Sequence, residues 1–63
     1  MGQERREVLF EFTAIGGAMR VAAIDAETGI EVVVMGPTHA SRADLQKLAL
    51  AKLRKRLDTS DSR

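Results

Sequence analysis

Val8-Leu9-Phe10-Glu11-Phe12-Thr13-Ala14-Ile15-Gly16-Gly17-Ala18-Met19-Arg20-Val21-Ala22-Ala23-Ile24-Asp25 decides the fold. Successive side chains of a strand point to opposite faces, so Val8, Phe10, Phe12 and Ala14 share one face and Leu9, Glu11, Thr13 and Ile15 the other. Gly16-Gly17 predicts a two-residue hairpin loop, because glycine accepts the positive φ that primed turns require. The answering strand, Ala18 to Asp25, sets Met19, Val21 and Ala23 against Arg20, Ala22 and Ile24.

Downstream, Asp25-Ala26-Glu27-Thr28-Gly29 reads as a type I turn closed by a left-handed Gly29. A third strand from Ile30 to Met35 then places Ile30, Val32 and Val34 opposite Glu31, Val33 and Met35. These loop lengths fix a register: Phe12 beside Val21, Phe10 beside Ala23, Val21 beside Val34 and Ala23 beside Val32. The strongest apolar residues then fall on one face, which a one-residue slip would destroy. Gly36-Pro37 ends the third strand, since proline cannot donate to a ladder. A helix is expected from about Ala40 or Ser41 to Leu57. Its N-cap is Ser41 (or Thr38 if it starts earlier), with Asp44 standing in for the Glu of a capping box. Leu45, Ala49, Leu53 and Leu57 form an i, i+4 stripe, and Arg54, Lys55 and Arg56 sit near the C-terminal end, where cations favour the dipole.

The expectation is therefore an α+β domain: an antiparallel three-stranded meander with one C-terminal helix packed on one face. Residues 1–6 are a flexible lead, 7–57 the domain and 58–63 a flexible tail. The apolar surface exceeds what this layer can bury. Leu48 and Leu50 point roughly 200° apart around the helix. The second sheet face mixes Leu9, Ile15, Ala22, Ile24, Val33 and Met35 with only four polar residues, whereas a solvated antiparallel face is mostly polar. A chain of 63 residues is marginal alone. It has no cysteine for a disulfide and one histidine, too few for a metal site. A homodimer is the remaining remedy, with Leu9, Ile15, Ile24, Val33, Met35 and Leu48 as its interface. Face packing, edge pairing and exchange of an element about the Gly36–Ala40 or Gly16-Gly17 hinge all fit.

Several of these pieces match a known pattern. Val8 to Phe12, Val21 to Val32, Gly36-Pro37 and Leu45 to Leu57 together resemble a family of short alphaproteobacterial proteins of unknown function. The likeness covers residues 7–57, and its most distinctive parts are Ala23-Ile24-Asp25 with Thr28-Gly29, Gly36-Pro37 and Lys52-Leu53. The resemblance implies a stand-alone three-strand-plus-helix domain. It implies no reaction, ligand or catalytic residue.

Ten basic residues against nine acidic ones give a net charge of +1. The pI near 8.3 falls short of the value above about 9 typical of nucleic-acid-binding domains. The lead from Met1 to Glu7 lacks the apolar core of a signal peptide, and Arg6 stands where a myristoylation motif needs Ser or Thr. No apolar run approaches the ~20 residues that span a bilayer. Elimination leaves a cytoplasmic expectation, without membrane, metal or cofactor.

Two clusters carry what chemistry there is. Thr38, His39, Ser41 and Arg42 sit at a helix start, where unpaired N–H groups attract anions. Most helix starts bind nothing, so an ordinary strand-to-helix loop with a capping hydroxyl is the reading preferred. Ser41 is close to His39 in sequence, but no third orienting group can be named, so no enzyme is expected. Lys47, Lys52, Lys55 and Arg56 give the helix a basic surface that phosphates would use. Both aromatic residues, however, belong to the core face, which leaves no stacking platform. The function expected is a small homodimeric protein-interaction or adaptor module with a protein partner. The alternative is a nucleic-acid-associated protein using the basic helix.

Overall fold

The computed structural model describes residues 7–61. Strands β1 (Val8–Ile15), β2 (Ala18–Asp25) and β3 (Glu31–Pro37) form one antiparallel sheet in the order β1-β2-β3, and helix α1 (Arg42–Asp61) follows. The architecture is the α+β meander plus helix that the alternation predicts. Its register agrees pair for pair: Phe12 with Val21, Phe10 with Ala23, Val21 with Val34 and Ala23 with Val32. The expected lead at 1–6 and the last two residues of the expected tail lie outside the described residues.

Both turns explain that register. Gly16 has φ +59° while Gly17 is not in the positive region, the pattern of a type II′ turn with glycine first. Gly29 has φ +79°, and its N–H donates to the Asp25 carbonyl at 2.8 Å. The Asp25 N–H donates to the Ile30 carbonyl at 2.9 Å, closing the loop of residues 26–29. Asp25 itself is fully buried, and its Oδ2 accepts from both the N–H and the hydroxyl of Thr28.

Element ends differ from expectation in two places, each for a local reason. β3 runs through Gly36 to Pro37. Thr38 N–H donates to the Gly17 carbonyl at 3.2 Å, so Pro37 falls at a non-hydrogen-bonded position opposite Ala18. There its missing N–H would have faced away from β2, and the ladder loses nothing. The helix starts at Arg42 behind the expected Ser41 cap, whose Oγ accepts from the Asp44 N–H at 3.2 Å. It continues to Asp61, so residues 58–61 are helix rather than tail. The Thr59 hydroxyl donates to the Lys55 carbonyl at 2.8 Å, an i to i−4 bond that suits the helical geometry.

α1 lies across β2 and β3 and barely reaches β1. Met19, Val21, Ala23 and Val32 meet Leu45, Ala49 and Leu53 in the core, while Phe10 and Phe12 stay half-buried at its margin. Two small residues permit this close approach. Ala49 is fully buried, and a Cβ added at Gly36 would sit 2.6 Å from Leu45 Cδ2. Gly36→Val should therefore force Leu45 out of its packed position and cost about 1–3 kcal/mol. A urea midpoint measured by circular dichroism checks this, and an unchanged midpoint would show that the helix does not press on β3 there.

Candidate functional site

Backbone parity separates the two edges of the sheet. In antiparallel pairs, residues alternate between facing the partner strand and facing away. The Ala26 N–H donates to the Glu7 carbonyl at 3.0 Å, so hydrogen-bonded pairs with β2 fall at the odd positions of β1. The N–H and C=O groups of Val8, Phe10, Phe12 and Ala14 consequently point outward. Among the described residues no strand pairs with that edge. Over its length β1 holds no proline and no lysine, and its only charge is Glu11.

The β3 edge is different. Val33 is opposite Ala22 at an outward-facing position, and its carbonyl accepts from Lys52 Nζ at 2.8 Å. Pro37 offers the same edge no donor. A proline on the edge strand and a lysine reaching its carbonyl from the helix both work against pairing with another chain. Among the described residues the sheet is guarded on one edge and unpaired on the other.

Exposed apolar side chains gather around the open side and at two outlying points. Leu9 is 47%, Ile15 54%, Met35 56% and Leu48 59% exposed. Leu9 and Ile15 stand at the two ends of β1 on the sheet face away from α1; Ile24 and Val33, both half-buried, occupy the same face. Ala22, between Glu11 and Val33 in register, is fully buried there, and Arg20 reaches Glu31 at 3.9 Å across that face. Leu48 does not join this set. It lies one turn before Lys52 on the β3 side of the helix, so the six residues expected to form one interface occupy two surfaces.

The helix-start cluster does not converge on a site. Thr38, His39, Ser41 and Arg42 are all exposed. Ser41 Oγ is engaged in capping, and the Arg42 guanidinium stacks over the Phe12 ring at 5.2 Å. That contact, from the first residue of α1, covers part of an aromatic side chain at the margin of the core, and no spacing along the chain signals it. Basic residues also scatter. Lys47 and Arg56 are roughly 180° apart around the helix, and Lys52 is committed to Val33. Because α1 extends to Asp61, its last turn carries no cation, and Arg54 to Arg56 lie a turn inside. No cluster of three or more His, Cys, Asp or Glu suited to a metal occurs among the described residues. No helix among them is long and apolar enough to cross a membrane.

A three-stranded antiparallel meander with a single helix on one face defines a small α+β domain. The chain belongs to the family described as a domain of unknown function (DUF6898), whose model matches residues 5–60. No curated protein and no solved structure matches it. The match agrees with the expectation of a family of unknown function drawn from Ala23-Ile24-Asp25, Thr28-Gly29 and Gly36-Pro37.

Proposed function

We propose that this domain is a small homodimeric protein-interaction module that acts by binding and not by catalysis. The observation that carries the reading is the unguarded β1 edge beside exposed Leu9 and Ile15, on a sheet whose other edge is blocked by Lys52 and Pro37. Open edges of this length and apolarity are pairing templates, and proteins that must stay monomeric blunt them. The size of the chain adds to the case. A core of this extent contributes only roughly 3–5 kcal/mol, and a second subunit supplies what disulfides or metals supply elsewhere.

The nucleic-acid alternative needs cations gathered on one surface. Here they are distributed around the helix, and one is used within the fold, so no observation favours it.

The test is sedimentation of the full chain from low micromolar to near-millimolar concentration. A mass approaching twice 6.9 kDa as concentration rises supports the reading. A single 6.9 kDa species throughout rejects it.

A further inference from the structure

We infer that the second copy docks on the β1 edge, antiparallel, with Phe12 of each copy on the two-fold axis, so that two three-stranded sheets join into one. This inference rests on the homodimer reading and gives it a place and a register.

The argument begins with the outward-facing groups. Val8, Phe10, Phe12 and Ala14 present their N–H and C=O groups at the β1 edge, so these residues must form the hydrogen-bonded pairs of any joint sheet. A two-fold axis makes every pairing reciprocal, which leaves few registers to weigh. Placing Glu11 on the axis sets the two Glu11 carboxylates directly opposite each other at a closely spaced pair, where like charges repel. Placing Phe10 on the axis sets Leu9 against Glu11 and leaves Ile15 beyond the overlap. Placing Thr13 there shortens the overlap and sets Ile15 against Glu11.

Only the Phe12 register is complementary along its length. Phe10 pairs with Ala14, and Phe12 with its own copy. On the other face, Leu9 pairs with Ile15 and Glu11 with Thr13. These last two are non-hydrogen-bonded pairs, the ones whose side chains approach most closely, with Cα atoms about 4.5 Å apart. Leu9 and Ile15, 47% and 54% exposed in the single chain, thus cover each other twice over, and each Glu11 meets a hydroxyl. One strand supplies both halves of the match, which is why the occupant is a second copy of this chain.

Two designed variants read the register. Leu9→Lys with Ile15→Lys puts lysine opposite lysine at both sites and should weaken dimerisation on the order of a hundredfold. Leu9→Lys with Ile15→Glu puts opposite charges at the same sites and should restore most of the association. The two positions are at opposite ends of one strand, so neither variant forms the pair within a chain. Both are already exposed, and far-UV circular dichroism checks that the fold persists. A second measurement uses the absence of cysteine from the chain. Glu11→Cys with Thr13→Cys should give a covalent dimer on mild oxidation, since a Cα separation of about 4.5 Å lies within disulfide range.

A wild-type dimer that the double-lysine variant leaves intact, that the mixed-charge variant fails to restore, or that yields no covalent dimer from the cysteine variant overturns this docking while the homodimer reading stands. A wild-type chain that is monomeric at every concentration overturns both.

Discussion

Leu53→Ala should leave the chain largely unfolded at room temperature, whereas Leu48→Ala, five residues earlier on the same helix, should be nearly neutral. Leu53 has no exposed surface and is the largest side chain so enclosed, while Leu48 is 59% exposed. Truncating a buried leucine removes its transfer free energy and leaves a cavity, at about 2–5 kcal/mol. A core this small contributes only roughly 3–5 kcal/mol in all. Surface changes, by contrast, usually stay within about 0.5 kcal/mol. Both substitutions exchange leucine for the better helix former, so propensity acts in the same direction in each and the difference reports burial. Urea titration of the two variants at one protein concentration is the measurement. Equal midpoints would mean that Leu45, Ala49 and Leu53 do not form the seam against Val21 and Val32.

Why the helix seam and the sheet register could be read from residues alone is a matter of period. Gly16 and Gly29 mark turns whose lengths leave one register in which Phe12, Val21 and Val34 share a face, and the structure has that register. What could not be read depends on direction in space rather than spacing along the chain. Pro37 looked like a strand terminator because a proline lacks an N–H. Its harmlessness depends on facing outward, which only the completed ladder defines. Lys52 looked like one cation among several. That its ammonium meets the Val33 carbonyl follows from where α1 crosses the sheet, and no local pattern encodes that crossing. The same displacement of α1 toward β3 puts Leu48 apart from Leu9 and Ile15, and it gives Phe12 an arginine for cover in place of a leucine. Asp58 to Asp61 read as a tail by composition, yet they continue the helix.

Asp25→Ala should cost about 1–3 kcal/mol and unsettle the β2–β3 connection more than any other single polar change in the loop. The carboxylate is fully buried at the end of β2. Its Oδ2 accepts from Thr28 N–H at 2.9 Å and from the Thr28 hydroxyl at 2.7 Å, and that hydroxyl oxygen in turn accepts from the Ile30 N–H at 3.2 Å. Two backbone donors of the loop therefore depend on one side chain, directly or through Thr28. Alanine removes the charged acceptor of two bonds, which are stronger than neutral ones, and releases the Thr28 N–H within the loop. Thr28→Val keeps the Thr28 N–H bond to Asp25 and loses only the hydroxyl relay, so its cost should be smaller. The order of the two variants is the informative result. It follows from the bonding chain, whereas a simple count of lost contacts ranks them together. Amide hydrogen exchange at Thr28 and Ile30 resolves it: Asp25→Ala should speed both amides, and Thr28→Val chiefly Ile30. Protection at Thr28 that survives Asp25→Ala would show that the loop is held by the Gly29 N–H to Asp25 carbonyl bond and the left-handed glycine alone. The functional stake is register. The loop sets β3 against β2, and β3 carries the carbonyl that Lys52 covers, so the loop also bears on which edge is left for the second copy we propose.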